Sequence, residues 1–397
     1  MLLLLAMACG DEDEEVDLQE QEETPAPVEV VEAPVTAPQP AEGQLTMDPA
    51  GRSISATAFA LLEQFEGDVL FSPASINVAL TMLHAGASGD TASGIETALS
   101  LPAEPQQALG AWQTQVLGEG AWTLRMANRA WTGTDSPIKP AYLGLLDASF
   151  GATTGSVDFA DPSAVDTINA WVAENTEDKI PDLLKPGSLT GDTRLVLTNA
   201  VYFLGTWVTP FKEDATQDGP FQTPSGEAQV PMMRQLDWFA YYEADGVQLV
   251  ELPYEGDRLS AYVVLADAIS LEDFSSWAGS AQRSRVQLTM PRFEMRWTQT
   301  LNRALSGMGM GQAFTGAADF SAMSDEGLFV SQVVHEAWMR VDESGTEAAA
   351  ATGMMVRTTS VPPPPMVMTV DRPFHFFVVD KPTGGIVFAA RVENPSD

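Results

Sequence analysis

The chain has few of the side chains that carry covalent or metal chemistry in most enzymes. Its 397 residues include one cysteine, Cys9, and three histidines, so an internal disulfide bond cannot form. The sequence has no Gly-x-Ser-x-Gly turn and no His-Glu-x-x-His pair, which are patterns of nucleophilic and zinc-dependent hydrolases. His84 falls on the apolar face of a predicted helix and His375 in an apolar strand, so we expect both in the core. We therefore predict no catalytic residues, no metal, no other cofactor, and a protein that is not an enzyme.

Positive charge is also scarce. The chain carries 20 lysines and arginines against 55 aspartates and glutamates, a formal net charge of −35 at pH 7. Such a surface is repelled by nucleic acids and by anionic membranes, because both are polyanions. The sequence also lacks a run of about 20 uninterrupted apolar residues, the length that a transmembrane helix needs. We expect a monomer with no nucleic-acid partner and with no membrane contact except through an anchor.

The first nine residues resemble a bacterial lipoprotein signal. A short leucine run is followed by small residues and then by Cys9, the residue that carries the lipid in such proteins. The apolar run is short and no lysine or arginine precedes it, whereas export signals begin with positive charge. The alternative is an ordinary N-terminus with a chance cysteine. The signal predicts an extracellular or cell-surface protein that is lipid-anchored at Cys9.

Residues 10–46 have the composition of a tether. They open with the acidic run Asp11–Glu15, are rich in proline, and contain no lysine, arginine or aromatic residue. Such a segment cannot bury enough apolar surface to offset its chain entropy, which predicts disorder. Behind a lipidated cysteine it would act as a tether, and without one it would be a simple tail.

The composition of residues 47–397 is that of a globular protein. Apolar residues make up 45% of the chain, enough for a large core. Helical periodicity is found in Ser53–Phe65, in Ser75–Ala85 after Pro73, and in residues 164–175. Strand-like runs are Arg194–Phe203, Val247–Pro253, Leu259–Ala266, Arg285–Met290, Val333–Val341 and Phe374–Val379. Helices dominate the first third and strands the rest, so the predicted class is α+β rather than a regular βαβ series.

Residues 342–352 allow two interpretations. An acid follows a potential capping serine, Ser344, and four alanines come next, which favours a short surface helix. With a period of two, small residues instead share one face of a strand, and such a face could enter a packed sheet without needing a cavity. That face consists of Thr346, Ala348, Ala350 and Thr352. Propensity alone does not choose between helix and strand.

Several motifs, in order along the chain, together resemble the serpin family. They are Phe71–Asn77, Thr198–Trp207 with Phe211 and Thr216, Val230–Met233, Pro291–Phe293, Ala318–Ser321, Val341–Thr352, Asp371–Phe374 and Gly385–Ala389. Combined motifs are far more specific than any single one. The resemblance spans roughly residues 48–394 and implies a fold of three β-sheets and eight or nine helices with an exposed reactive-centre loop, here residues 343–366.

The resemblance also implies a mechanism. A protease cleaves the loop, the segment 346–358 inserts into the large sheet as a new strand, and the covalently attached protease is trapped. The hinge that starts this insertion is Glu343, Gly345, Thr346, Glu347, Ala348, Ala349, Ala350, Ala351 and Thr352. Its inward face is small and uncharged, as insertion requires, because burying an unpaired charge is costly. This pattern favours an inhibitor over the alternative, a non-inhibitory surface binding protein on the same fold.

Spacing and local sequence suggest the reactive bond. Counting forward from Gly345 by the family's spacing places it between Thr359 and Ser360, and the residues after Ser360 resemble those of some members. Counting backward from Pro373 disagrees by about three residues, which a proline run could absorb as extended structure. Thr359 suits elastase-like or subtilisin-like serine proteases, and a cysteine protease stays open as a target. The alternative bond, Arg357–Thr358, would suit trypsin-like enzymes.

The resemblance assigns further residues around the large sheet. The polar cluster beneath it, called the shutter, would contain Ser72, Ser75, Asn199 and His335. Trp207 matches the aromatic residue where the loop first enters. Glu343, at the base of the loop, is expected to pair with Arg292 on the neighbouring strand.

Overall fold

The computed structural model describes residues 45–117, 122–152, 154–346 and 364–396. Eight α-helices lie in these ranges: α1 (Pro49–Leu62), α2 (Pro73–His84), α3 (Gly89–Leu99), α4 (Pro105–Val116), α5 (Pro140–Phe150), α6 (Ser163–Asn175), α7 (Leu271–Ser280) and α8 (Asn302–Leu305). The strands are β1 (Val69–Phe71), β2 (Trp122–Gly133), β3 (Gly155–Val157), β4 (Leu195–Thr206), β5 (Gln217–Thr223), β6 (Gly226–Ala244), β7 (Val247–Pro253), β8 (Leu259–Leu265), β9 (Gln282–Pro291), β10 (Phe293–Thr300), β11 (Val330–Val341), β12 (Gly345–Thr346), β13 (Met366–Thr369), β14 (Phe374–Asp380) and β15 (Gly385–Val392). The predicted α+β class is confirmed.

The N-terminal ends of the long helices follow from local sequence. Asp48 caps α1, accepting a hydrogen bond from the backbone N–H of Gly51 at 2.6 Å. Ser72 caps α2 in the same way through the N–H of Ser75 at 3.1 Å. A proline follows each cap, at a position where its missing N–H is not needed.

A six-stranded sheet has the strand order β10-β11-β12-β4-β2-β3. β11 and β4 run parallel and pair directly from Val330–Trp338 to Leu195–Tyr202. Helix α6 covers one face, where Ile168 and Val172 pack with Val196 in a separate hydrophobic cluster. The other face joins the main core. Because both faces are covered, β4 reads as a nearly continuous apolar run rather than an alternating one.

The other sheet has nine strands, eight of them in the order β1-β15-β14-β8-β7-β6-β9-β13, with β5 paired to β6. Strand β6 is 19 residues long; its first part pairs with β5 and β9, and its last four residues, Tyr241–Ala244, pair with β7. Two of the three expected sheets are therefore hydrogen-bonded into one, because a single strand continues through both.

In the main core α1 and α2 pack on β15, and α1 also contacts β14 through an aromatic pair. Phe59 of α1 lies 5.5 Å from Phe377, ring centre to ring centre. One buried charge, Asp380, is satisfied there by Arg258 at 2.7 Å and by the indole N–H of Trp112 at 3.1 Å. A buried carboxylate needs such partners, since its desolvation is costly.

The helices and strands predicted from the sequence agree with the structure to different degrees. The bounds predicted for β7 agree with the structure at both ends, and those of α1, α2 and α6 lie within a few residues. Strands β2, β6 and β10 were not singled out by the sequence. The core position expected for His84 is wrong: its side chain, 13% exposed, lies at the end of α2 and bonds to Glu96 and Gln106. His375 is largely enclosed in β14, and burial lowers its pKa to about 4.

Candidate functional site

The boundary between β4 and β11, which we call the seam, is closed for most of its length and occupied at one end. There β12 lies between the two strands and is antiparallel to both. Thr346 pairs with Val341 on one side and with Gly205 on the other. Thr346, the first residue of the predicted inward face, is thus already in the sheet.

A tight turn directs the chain from β11 into the seam. The backbone N–H of Asp342 donates to the carbonyl of Gly345 at 2.9 Å, and the side chain of Asp342 accepts from the N–H of Ser344 at 2.9 Å. Gly345 has a φ of +155°, and a Cβ at this position would lie 2.0 Å from the carbonyl oxygen of Gly205. Only glycine fits so close to the β4 backbone.

Thr346 is fully buried, and an aromatic pair lies beside it. Its hydroxyl is 2.6 Å from the hydroxyl of Tyr254. Tyr254 in turn stacks on Trp207, with ring centres 4.4 Å apart, and the Trp207 indole donates to the carbonyl of Asp342 at 3.0 Å. Burial raises the pKa of Tyr254, so its hydroxyl stays protonated. Trp207 lies at the entry, as the resemblance implies, whereas Tyr254 was not foreseen.

Glu343 is held by groups from the segment after β4. Its carboxylate accepts from the hydroxyl of Thr216 at 2.6 Å, and its carbonyl accepts from the N–H of Phe211 at 2.7 Å. The guanidinium of Arg292 is 3.8 Å away and half exposed. Thr216 is therefore the closer partner, and Arg292 adds an outer, solvated charge.

The four predicted shutter residues come together beneath the sheet with a fifth, Asn128. Asn128, Asn199 and His335 are register partners on β2, β4 and β11. The Asn199 amide donates to Asn128 at 2.7 Å and to the hydroxyl of Ser75 at 2.8 Å. The sequence did not predict Asn128 as a site residue, because it did not predict β2, the strand that contains it. The role of a polar residue in that strand can be recognised only when its partner on the next strand is known.

His335 spans the seam on the core side. The N–H of Ser72 donates to its Nε2 at 3.2 Å, so Nδ1 carries the proton and donates to Oδ1 of Asn199. Burial lowers the pKa of His335 to about 3, so the ring is neutral. Ser72 also donates to the carbonyl of Val387 at 2.7 Å. One connected network thus links α2, the seam and β15.

The remaining predicted site residues lie outside the described ranges. They are the hinge residues 347–352, the alternative bonds at Arg357, Thr358, Thr359 and Ser360, and Cys9. In the part of the chain that the structure covers, no helix is long and apolar enough to cross a membrane. Within the same residues no three His, Cys, Asp or Glu side chains are grouped so that they could hold a metal ion.

Comparison with known proteins identifies this arrangement. Residues 53–395 match the family described as Serpin (serine protease inhibitor). An uncharacterized serpin-like protein of Thermococcus kodakarensis is 35% identical over 88% of this chain and 86% of its own length. The leukocyte elastase inhibitor of Bos taurus is 36% identical over 83% of this chain and 93% of its own.

Solved structures agree with the sequence matches. Serpin48 of the insect Tenebrio molitor superposes with a TM-score of 0.75 at 30% identity, covering 87% of this chain and 97% of that one. Native protease nexin-1 gives a TM-score of 0.77 at 28% identity, covering 88% and 100%. The chain belongs to the serpin family and has the serpin fold. Serpins are generally protease inhibitors rather than enzymes.

Proposed function

We propose that this serpin traps serine proteases as a suicide substrate. Cleavage near Thr359–Ser360 would free residues 346–358 to extend β12 as a full strand between β4 and β11. The observation that carries this proposal is the position of Thr346, small, buried and already paired on both sides at the open end of the seam.

Hydrogen bonding favours the extension. β4 and β11 are parallel neighbours, and a strand continuing from β12 is antiparallel to both. Insertion therefore replaces one parallel pairing by two antiparallel pairings, which are slightly more stable per residue. The small inward face of the hinge allows this without burying a charge.

The length of the segment fits the sheet. Residues 346–358, fully extended, span about 40 Å at ~3.3 Å per residue, and β4 and β11 have 12 residues each. A protease joined to residue 359 would be carried from one end of the sheet to the other. The chemistry is ordinary acyl transfer: the protease serine attacks the Thr359 carbonyl, an ester forms, and the amine of Ser360 leaves. Inhibition requires insertion to be faster than hydrolysis of that ester.

Target preference follows from the residue before the bond. Threonine is of medium size and uncharged, which suits an elastase-like or subtilisin-like pocket, and the name of the Bos taurus relative supports that class. Cleavage at Arg357–Thr358 would instead indicate a trypsin-like target with an acidic pocket. A cysteine protease would form a thioester by the same route.

The test is to incubate the full chain with elastase, subtilisin, trypsin and papain. We expect a complex with elastase or subtilisin that survives SDS, and a released peptide that begins at Ser360 by mass spectrometry. The cleaved protein should melt at a higher temperature than the intact one. A protease whose serine has been chemically blocked is the control and should give no complex.

A cleaved loop with neither a complex nor a rise in melting temperature would contradict the proposal. That result would favour the non-inhibitory surface binding protein on the same fold.

Location is part of the proposal. Lipidation of Cys9 would place the inhibitor at the cell surface, with residues 10–46 as its tether. Labelled palmitate should be incorporated by the full chain in a bacterial host, and the Cys9→Ala variant should take up none. Equal labelling of both proteins would reject the lipid anchor at Cys9 and would not affect the inhibitor proposal.

A further inference from the structure

The outer face of the strands β6, β9 and β13, which we call the cationic face, carries positive charge in an acidic protein. Side chains two residues apart share a face of a strand, so Arg234, Leu236 and Trp238 of β6 point to one side, and all three are exposed. Register places Trp238 beside Arg285 of β9, which brings Arg283 to the same side. No aspartate or glutamate of these three strands falls on that side. Three arginines are thus grouped on a chain whose formal net charge is −35.

Apolar side chains lie between the arginines. Leu236 and Trp238 are 48% and 47% exposed, and Val367 of β13, which lies in the same cross-strand row as Leu236, is 56% exposed. These are three of the six large apolar side chains that are exposed in the described residues. The guanidinium of Arg283 lies 5.7 Å from the centre of the Trp238 ring. Tryptophan and arginine are enriched where proteins bind one another.

The cationic face lies next to the reactive-centre loop. β13 begins at Met366, six residues after Ser360, and a chain of that length spans at most about 20 Å. A protease domain of about 250 residues has a radius of gyration of about 18 Å. An enzyme bound at Thr359–Ser360 is therefore held within its own diameter of the face, so a second contact there costs little additional entropy.

The composition of the face favours a folded protein as its partner over a polyanion. A nucleic acid or a sulfated polysaccharide extends beyond three arginines, onto an acidic surface that repels it. It also has no apolar side chains with which to cover Leu236 and Trp238. A protein surface that combines a few acidic and apolar side chains complements both parts of the face.

We propose that the cationic face is a second binding surface for the target protease, and that it selects enzymes with acidic and apolar side chains beside the active-site cleft. This rests on the proposed function, since the loop brings the protease to the face. The arginines accelerate the encounter, and Leu236 and Trp238 slow its dissociation. The face acts before the ester forms, so it changes the rate of inhibition and leaves the stoichiometry unchanged.

The first test measures the association rate constant with whichever of the four proteases above cleaves the loop fastest. The enzyme is used as supplied and after succinylation, which replaces each lysine ammonium by a carboxylate and so places acids around the cleft. Arg234→Gln combined with Arg283→Gln should slow the succinylated enzyme about five- to tenfold at ~10 mM salt, where charges interact over about 30 Å. The difference should fall below about twofold at ~1 M salt, where screening limits them to about 3 Å.

The matched control removes two cations from other surfaces. Lys185, in the connection after α6, and Arg303, in α8, are both exposed. Lys185→Gln combined with Arg303→Gln changes the net charge by the same amount as the arginine pair on the cationic face. It should slow the succinylated enzyme by less than about twofold at the same low salt, because local charge rather than net charge orients the encounter.

The second test measures binding without chemistry. The same protease, with its catalytic nucleophile replaced by alanine, forms only the noncovalent complex. Leu236→Ala should weaken that complex about three- to tenfold, as loss of an apolar side chain buried at an interface does. Leu145→Ala is the matched control, because Leu145 is 40% exposed on α5 and should leave the affinity unchanged. Both leucines are exposed, so this test stands even where the double arginine variant does not fold.

Three results would overturn the proposal. One is equal slowing of the succinylated enzyme by the arginine pair and by its control at low salt. Another is equal affinity of Leu236→Ala and Leu145→Ala for the inactive protease. The third is a different occupant: retention on heparin-agarose, or a dimer in sedimentation, that these variants abolish while protease binding is unchanged.

The inhibitor proposal fails separately, through the absence of a covalent protease complex. Binding to the inactive protease that depends on Leu236, without any covalent complex with the active enzyme, would keep the cationic face and reject the inhibitor.

Discussion

The hydroxyls of Thr346 and Tyr254 are 2.6 Å apart and buried inside the protein, although 92 residues separate them in the sequence. This hydrogen bond fixes the first inserted residue of the hinge to an aromatic pair that is anchored by Trp207. The hinge is therefore held at the entrance of the seam before any cleavage takes place. Each of the first three predictions below changes one part of that hold.

Tyr254→Phe should loosen the hinge. The change keeps the ring and its stacking on Trp207 but leaves the Thr346 hydroxyl buried without a partner, which costs about 1–3 kcal/mol. We expect a lower free energy of unfolding in urea and faster hydrogen exchange in the segment 342–346. The double variant Tyr254→Phe with Thr346→Val should recover most of the loss, because both polar partners are then gone.

Tyr142→Phe is the control for this experiment. It also removes a buried tyrosine hydroxyl, one that donates to the Met82 carbonyl at 3.0 Å, but far along the chain from the hinge. It should lower the unfolding free energy without changing exchange in residues 342–346. If both variants change hinge exchange equally, the hydroxyl pair has no local role.

Gly345→Ala should push the hinge out of the seam. The added methyl group would meet the Gly205 carbonyl at 2.0 Å, and relieving such overlap costs about 1–3 kcal/mol. We expect destabilisation and rapid hydrogen exchange at Thr346. Gly144→Ala is the matched control, because a Cβ there meets nothing within 4 Å. Alanine inside helix α5 should leave the unfolding free energy unchanged or raise it slightly.

Thr346→Glu should convert the protein from an inhibitor into a substrate. Thr346 is already buried in the intact protein, so a carboxylate there must lose its water without gaining a cation, at a cost of several kcal/mol. We expect residue 346 to leave the seam for this reason, and insertion after cleavage must then bury its charge. Insertion then becomes slower than hydrolysis of the acyl-enzyme. The number of inhibitor molecules consumed per protease trapped should rise about tenfold or more, since each ~1.4 kcal/mol is a factor of ten.

Thr369→Glu tests whether any added carboxylate has this effect. Thr369 is exposed on β13, so the same substitution there should leave the stoichiometry unchanged. Complex formation by Thr346→Glu at the original stoichiometry would contradict the proposed path of insertion.

Acid should open the network around His335. The pKa of this ring is lowered to about 3 from its ordinary 6.5, so the neutral form stabilises the folded state. The contribution is complete above pH 6.5 and is lost as the pH falls toward 3, because the unfolded chain binds the proton first. Across this window the unfolding free energy should fall by up to about 1.4 kcal/mol per pH unit from His335 alone.

Replacing His335 isolates its share of the pH dependence. The slope of the unfolding free energy against pH reports how many more protons the unfolded state binds than the folded state. Between pH 6 and 4, His335→Gln should reduce that number by about one. His375, whose pKa burial lowers to about 4, contributes with the same sign and remains in that variant. Urea unfolding at half-unit pH steps measures the slope, and an identical slope in wild type and His335→Gln would refute the assignment.

The sequence predicted more of the hinge than of its surroundings. Small residues at period two marked Thr346 as the start of an inward face, and the structure buries that residue. Glu343 pairs with Arg292 as expected, at 3.8 Å. The closer partner, Thr216 at 2.6 Å, was not predicted, because its position depends on how the segment after β4 folds back. Asn128 escaped notice because β2 alternates weakly and shows no strong strand pattern.

Separately predicted strands did not indicate how they would join. The bounds of β7 were correct since a short apolar run between turn residues defines them locally. The union of two sheets through β6 was not foreseen, because continuity of a strand across a bend depends on which neighbours pair with each half.

By itself the sequence determined that the chain cannot form an internal disulfide bond, that the predicted inward face of its hinge has small side chains, and that residues 10–46 are acidic. These are local or additive properties, and a chain carries them in any conformation. Only the tertiary structure decided that Thr346 meets Tyr254 and that His335 joins Asn128 through Asn199. Those relationships depend on strand register, in which a shift of one residue turns every side chain to the opposite face.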